Sequence, residues 1–151
     1  MKVMFICTEN TCRSPMAQGL FEKAVKKEDK REIKVYSCGI YAENGGVPTY
    51  NAIQVMKQYN IDLGKHKTTN ISNSNILDMD LILCVTTIHK KMVLEKYPDL
   101  KEKIFTLKEY VLDKKDQNID INDPWGYDLV VYKRCAEEIN EYLKLLIKKI
   151  K

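Results

Sequence analysis

Phe5-Ile6-Cys7-Thr8-Glu9-Asn10-Thr11-Cys12-Arg13-Ser14-Pro15 is the stretch from which the fold is read. The apolar run from Val3 to Ile6 enters it, and apolar residues at helical spacing, Met16, Leu20, Phe21, Ala24 and Val25, leave it. An apolar run, a short polar loop and an amphipathic pattern predict strand, tight loop and helix. Inside the loop a cysteine is followed six residues on by an arginine and then a serine, Cys-x5-Arg-Ser.

A loop feeding a helix N-terminus turns several backbone N–H groups inward, and the helix dipole favours negative charge there. Such a nest holds a phosphate-like dianion. Arg13 adds a planar, permanently charged fork that matches two phosphate oxygens. The same field favours a thiolate at Cys7, the attacking form of cysteine. Ser14 supplies a hydroxyl that can donate to that thiolate. Together these parts point to phosphoryl transfer through a phosphocysteine. The bland alternative, a core cysteine and a surface arginine, leaves the strand, the Ser-Pro helix start and the spacing unconnected.

Outward from this unit, strands and helices alternate. Strands are predicted at Val3–Cys7, Ile33–Ser37, Leu81–Val85 and Ile104–Leu107. Helices are predicted from Ser14 to about Lys27, Pro48–Tyr59, Thr87–Tyr97 and Leu129 to about Ile150, with a short one at Asn75–Met79. The last helix is expected to turn Val130, Val131, Ile139, Leu143, Leu146 and Ile147 inward. Lys26–Glu32 reads as a charged turn, Gly39–Gly46 as a loop, and Val111–Asn122 as a polar irregular loop. The alternation predicts an α/β three-layer sandwich, a four-stranded parallel sheet with helices on both faces, as a single domain over 1–151. Ligands of such sheets sit at the carboxyl ends of strands, where the Cys7 loop falls.

Composition bounds the function. The 30% charged and 44% apolar fractions are those of a globular chain, and 151 residues suffice for a core. A net charge of +4 suits an anionic substrate but is too dilute for a nucleic-acid face. No apolar run reaches membrane-spanning length, and the start is too short for a leader. Five cysteines without a CxxC pair give no zinc spacing and no disulfide framework. A nucleophilic thiol suits the reducing cytoplasm. No metal and no cofactor is expected, and a monomer is the default.

The chemistry also needs an acid for the leaving group and then a base for water. Asp123, in Asp123-Pro124-Trp125-Gly126, is the candidate, because Pro124 stiffens its segment and Trp125 offers a flat apolar wall. Asp120 and Asp128 are the fallbacks.

With these residues in hand, the whole chain resembles the low-molecular-weight protein tyrosine phosphatase family, most of all its protein-arginine phosphatase branch. The resemblance implies that phosphorylated proteins are the substrates, that Cys7, Arg13 and Asp123 are catalytic, and that Thr8, Glu9, Asn10, Thr11, Cys12 and Ser14 form the phosphate loop. It implies that Asn10 holds the loop through Ser37 and His66, and that Tyr41 faces Trp125 across the pocket mouth. Cys12 then forms a reversible disulfide with Cys7 that shields it from over-oxidation. Tyrosine phosphatases of the family typically carry a branched apolar residue at position 11, and arginine phosphatases a threonine. Phe105-Thr106-Leu107-Lys108-Glu109-Tyr110-Val111 also resembles the arginine branch, and Gly126 stands where many tyrosine phosphatases have a second aromatic.

Glu9 departs from the family, which commonly has glycine there. It either strains the loop and repels a dianion or favours a cationic substrate side chain, and the sequence leaves both open. A phosphotyrosine phosphatase is the main alternative. An arsenate reductase needs a resolving-cysteine pair near the third strand, where only Cys84 is found. A non-catalytic phosphate-binding module is at odds with the intact Cys7, Arg13 and Asp123. His89 is expected to be structural or exposed, and Cys38, Cys84 and Cys135 to fill the core.

Overall fold

The computed structural model describes residues 1–112 and 119–150. Its strands are β1 (Lys2–Cys7), β2 (Lys34–Gly39), β3 (Leu81–Cys84) and β4 (Ile104–Thr106). They form one parallel sheet in the order β2-β1-β3-β4. The helices are α1 (Arg13–Lys27), α2 (Tyr50–Lys57), α3 (Thr87–Lys96), α4 (Leu107–Leu112) and α5 (Leu129–Lys149), joined by short 3₁₀ turns. The architecture is the expected three-layer α/β sandwich.

The central strands β1 and β3 are buried on both faces, so their sequences are nearly continuous apolar runs, whereas the edge strand β2 is only partly buried. Alternation sorts them by face. Val3, Phe5, Leu81 and Leu83 meet α1, α2, α4 and α5 on one side. Met4, Ile6, Ile82, Cys84 and Ile104 meet α3 and the 3₁₀ turns on the other. Phe5 and Phe21 pack edge to face at 5.8 Å and fix α1 against β1 directly below the loop. Truncating either ring to alanine costs about 3–5 kcal/mol.

Several boundaries differ from expectation for local reasons. Helix α2 starts at Tyr50 because the Thr49 side chain accepts from Ala52 N, and it ends at Lys57. The Asn75–Met79 segment is a 3₁₀ turn over Ile76–Asp78. Leu107 ends no strand; it opens α4. There Thr106 Oγ1 accepts from Glu109 N at 3.1 Å, and Glu109 Oε2 accepts from Thr106 N at 2.7 Å. This reciprocal capping box was present in the sequence as Thr-x-x-Glu. Val111 and Leu112 are therefore helical, and the irregular reading for 113–118 lies outside the described residues. In α5, Val130 is exposed and Val131 half-buried, while Tyr132, Cys135 and Ala136 turn inward with Ile139, Leu143, Leu146 and Ile147.

Candidate active site

In the order β2-β1-β3-β4 the chain runs from β1 to β2 on one side and from β3 to β4 on the other, so the crevice at the carboxyl ends of β1 and β3 is the switch point of the sheet. Cys7 ends β1 there and is 2% exposed. Its loop passes over the end of β2. Ile40 N donates to Cys7 O at 3.0 Å and Tyr41 N to Thr8 O at 2.8 Å. The loop closes on α1, whose first residue is Arg13.

Asn10 adopts φ 60°, the left-handed region that asparagine tolerates, and is fully buried. Its amide is saturated. Nδ2 donates to Ser14 Oγ at 2.8 Å and Ser37 Oγ at 2.9 Å. Oδ1 accepts from Thr69 N and from His66 Nε2, both at 3.0 Å. Because both amide hydrogens are spent, His66 Nε2 carries the proton. Burial lowers the His66 pKa and keeps the ring neutral apart from this bond, which opposes the shift. Ser37 passes its own hydroxyl hydrogen to Gln18 Oε1 at 2.6 Å, a member of the network that the sequence reading missed.

Ser14 Oγ lies 2.9 Å from Cys7 Sγ. Ser14 Oγ accepts from Asn10, and its one hydrogen has two acceptors within reach, Cys38 O at 3.4 Å and a thiolate at Cys7 at 2.9 Å. Arg13 is 4% exposed. Its Nη1 donates to Ile121 O at 2.8 Å and its Nη2 lies 3.6 Å from Asp123 Oδ2. Arg13 Nε is a buried donor with no hydrogen-bond partner among the described residues. A buried guanidinium N–H left unspent costs free energy unless an anion completes it.

Asp123 arrives on a segment docked at the sheet edge, where Ile121 N donates to Val85 O at 2.9 Å. Its Oδ1 accepts from Trp125 N at 3.1 Å and faces Cys12 Sγ at 3.6 Å. Burial, then the neighbouring Cys7 and Asp123, push the Cys12 thiol pKa far up, so Cys12 is a neutral donor here. Cys7, Thr8, Glu9, Thr11, Cys12, Arg13, Asp123 and Trp125 line a cleft of about 190 Å³. A larger groove of about 510 Å³ beside Pro15, Gln18 and Lys65 has no cysteine and no buried arginine in its lining, so chemistry and not volume selects the site.

The sequence profile described as "Low molecular weight phosphotyrosine protein phosphatase" matches residues 2–151. The chain belongs to this family. The protein-arginine-phosphatase of Bacillus subtilis is 34% identical over 151 residues, which are 100% of this chain and 97% of that one. The low molecular weight protein-tyrosine-phosphatase PtpB of Staphylococcus epidermidis is 30% identical, covering 100% and 97%. Among solved structures, a YwlE arginine phosphatase mutant with a phosphorylated active site serine superposes with a TM-score of 0.92 at 33% identity, covering 99% and 95%. The low molecular weight protein tyrosine phosphatase of T. tengcongensis gives 0.91 at 37% identity, covering 99% of each chain. The protein is a phosphatase.

In this phosphatase the fallback acids have other tasks. Asp120 accepts from Thr87 N at 2.7 Å and Thr87 Oγ1 at 2.9 Å, tying its segment to the start of α3. Asp128 caps α5 by accepting from Val131 N at 3.2 Å. Tyr41 is 66% exposed and lies outside the cleft lining, and its backbone N–H donates to Thr8 O on the loop. Glu9 does not take positive φ, which falls on Asn10 instead, so the feared backbone strain is absent at Glu9. Gly126 has φ 85° in a turn closed by Tyr127 N donating to Pro124 O, so the turn itself requires glycine there. Cys38 and Cys84 lie in the core on the sheet face away from Cys7, out of position to resolve it. Cys135 is buried on the inner face of α5, its pKa pushed up to about 12 chiefly by burial. His89 is 7% exposed and bonded to the phosphate loop, which a lone helical histidine gave no sign of.

Proposed function

We propose that this phosphatase hydrolyses phosphoarginine in proteins, as a single-domain, cytoplasmic monomer that uses neither metal nor cofactor and binds neither nucleic acid nor membrane. The observation that carries the substrate reading is Thr11 lining the Cys7 cleft. A hydroxyl there tolerates the polar guanidino group that an apolar wall would desolvate. Glu9, exposed at the same rim, offers a carboxylate to the guanidinium. The similarity to proteins named protein-arginine-phosphatase points the same way.

The proposed steps use the geometry of the cleft. Arg13 and the loop N–H groups hold the phosphoryl oxygens, with Arg13 Nε completed by one of them. The Cys7 thiolate attacks phosphorus, the P–N bond breaks, and the leaving nitrogen takes a proton from Asp123. Asp123, now a carboxylate, takes a proton from water as that water attacks the phosphocysteine. Phosphate leaves, and Ser14 donates to the regenerated thiolate. The phosphorylated active site serine of the YwlE mutant supports a covalent intermediate. Cys12 guards Cys7 by forming a disulfide when Cys7 is oxidised.

The test is phosphate release from matched peptides carrying phosphoarginine or phosphotyrosine, with Cys7→Ser as the blank for spontaneous P–N hydrolysis. A phosphoarginine preference in kcat/KM on the order of 10²-fold or more is expected. A phosphotyrosine preference would replace the substrate and keep the mechanism.

A further inference from the structure

His89 is not one of the residues that line the cleft, yet its imidazole is bonded at both nitrogens. Nε2 lies 2.7 Å from Thr8 Oγ1, on the loop after β1. Nδ1 lies 2.7 Å from Thr86 Oγ1, at the end of β3. Thr86 Oγ1 also accepts from His89 N at 3.2 Å, as the cap of α3. The ring thus bridges the two strand ends that bound the crevice.

Hydrogen counting orders the chain. The cap N–H occupies a lone pair of Thr86, and the one hydroxyl hydrogen of Thr86 then goes to Nδ1. In the tautomer that spends every hydrogen, Nδ1 is the acceptor and Nε2–H the donor, toward Thr8 Oγ1. With Thr8 Oγ1 accepting from the ring, its own hydrogen is free for another acceptor, and Thr8 lines the cleft beside Cys7. In the opposite tautomer Thr86 would accept twice with its hydrogen unspent, and the Thr8 hydrogen would be consumed by the ring. Burial, reinforced by the nearby Arg13 charge, lowers the His89 pKa to about 4, so the ring is neutral at working pH, as this chain requires.

We propose that His89 is a positioning residue: held by Thr86, it fixes the Thr8 hydroxyl as a hydrogen-bond donor to the phosphoryl group in the Cys7 cleft. The inference rests on that cleft being the phosphoryl site. It assigns the phosphate loop a donor that is neither backbone nor Arg13, oriented from a separate helix. Such a donor acts most strongly on the trigonal-bipyramidal phosphoryl group, whose equatorial oxygens carry the charge.

The test uses the full chain, para-nitrophenyl phosphate as substrate and vanadate as transition-state probe, with Thr8→Val, His89→Ala, His89→Gln and the Thr8→Val/His89→Ala double variant. Loss of one hydrogen bond to a charged group predicts that Thr8→Val and His89→Ala each lower kcat and weaken vanadate about tenfold. KM is expected to stay within about twofold, the signature of an interaction made chiefly in the transition state. Gln places an N–H near the Nε2 position, so His89→Gln recovers most of the activity. The double variant is expected to be no worse than either single one. Losses that multiply to about 100-fold in the double variant would overturn the proposal, since His89 would then act independently of Thr8. So would Thr8→Val at wild-type rate, a result that does not depend on His89→Ala folding. Turnover retained in Cys7→Ser would instead overturn the assignment of the cleft itself.

Discussion

The Cβ that Gly39 lacks would fall 2.7 Å from the backbone nitrogen of Asn10 and 2.7 Å from the carbonyl of Thr8. Real Cβ atoms do not approach backbone so closely, and neither neighbour is a flexible side chain. The end of β2 is therefore the floor on which the phosphate loop is moulded. Gly39→Ala is expected to destabilise the fold by about 1–3 kcal/mol. By displacing the loop it should also lower kcat/KM roughly 10²-fold, read from urea midpoints and steady-state kinetics. Wild-type kinetics in this variant would show that the loop takes its shape from its own hydrogen bonds alone.

Asp120 and Asp123 stand three residues apart with different partners, and their variants should separate. Asp123→Asn removes the proposed proton donor and is expected to lower kcat about 10²–10⁴-fold on a poor leaving group, with stability little changed. Asp120→Ala leaves Thr87 N at the start of α3 without its acceptor and is expected to cost about 1–2 kcal/mol of stability. Its kcat should change far less than that of Asp123→Asn. Reversed effects would move the acid to Asp120.

Much of this architecture was legible in the sequence because the buried strands are short apolar runs and the helices carry clear periodicity. Cys7, Arg13, Ser14 and Asp123, which the structure brings together, could be singled out because the proposed chemistry is tied to spacing and to an Asp-Pro signature. What escaped depends on contacts between distant segments. His89 meets Thr8 across 81 positions and Gln18 meets Ser37 across 19, and no local pattern announces either pair. Gly39 looked like an ordinary turn former, whereas its role comes from a loop 30 residues earlier in the chain crossing above it. The start of α4 was different: the Thr106–Glu109 box was local and was outweighed by the apolar run of β4.

Stability should fall in mild acid in a way that His89 controls. Its folded pKa of about 4 lies below the ordinary 6.5, chiefly through burial, with Arg13 adding to the shift and Asp123 and Asp120 opposing it. Between those values the unfolded chain binds more protons than the folded one. The contribution is thus complete above about pH 6.5 and is lost as pH drops toward about 4. His66, also lowered, acts in the same direction. Comparing Tm at about pH 7.5 and about pH 5, wild type should lose more than His89→Gln. Equal losses would locate the acid sensitivity elsewhere.

Cys7 and Cys12 line the same cleft, and both are free thiols in the structure. Hydrogen peroxide oxidises the Cys7 thiolate to a sulfenic acid, with water as the reduced product. The Cys12 sulfur can then attack the Cys7 sulfur, forming the disulfide and expelling a second water. The attacking species is the thiolate, and burial has pushed the Cys12 pKa far above neutrality. Closure should therefore accelerate with pH, about tenfold per unit while the thiolate remains the minor form. Brief peroxide exposure followed by dithiothreitol should restore wild-type activity. Cys12→Ser should instead lose activity irreversibly on the same exposure, as Cys7 proceeds to sulfinic acid. Mass spectrometry distinguishes the products, the loss of two hydrogens against the gain of two oxygens. Full recovery of Cys12→Ser, or a closure rate that does not depend on pH, would remove Cys12 from this protective role.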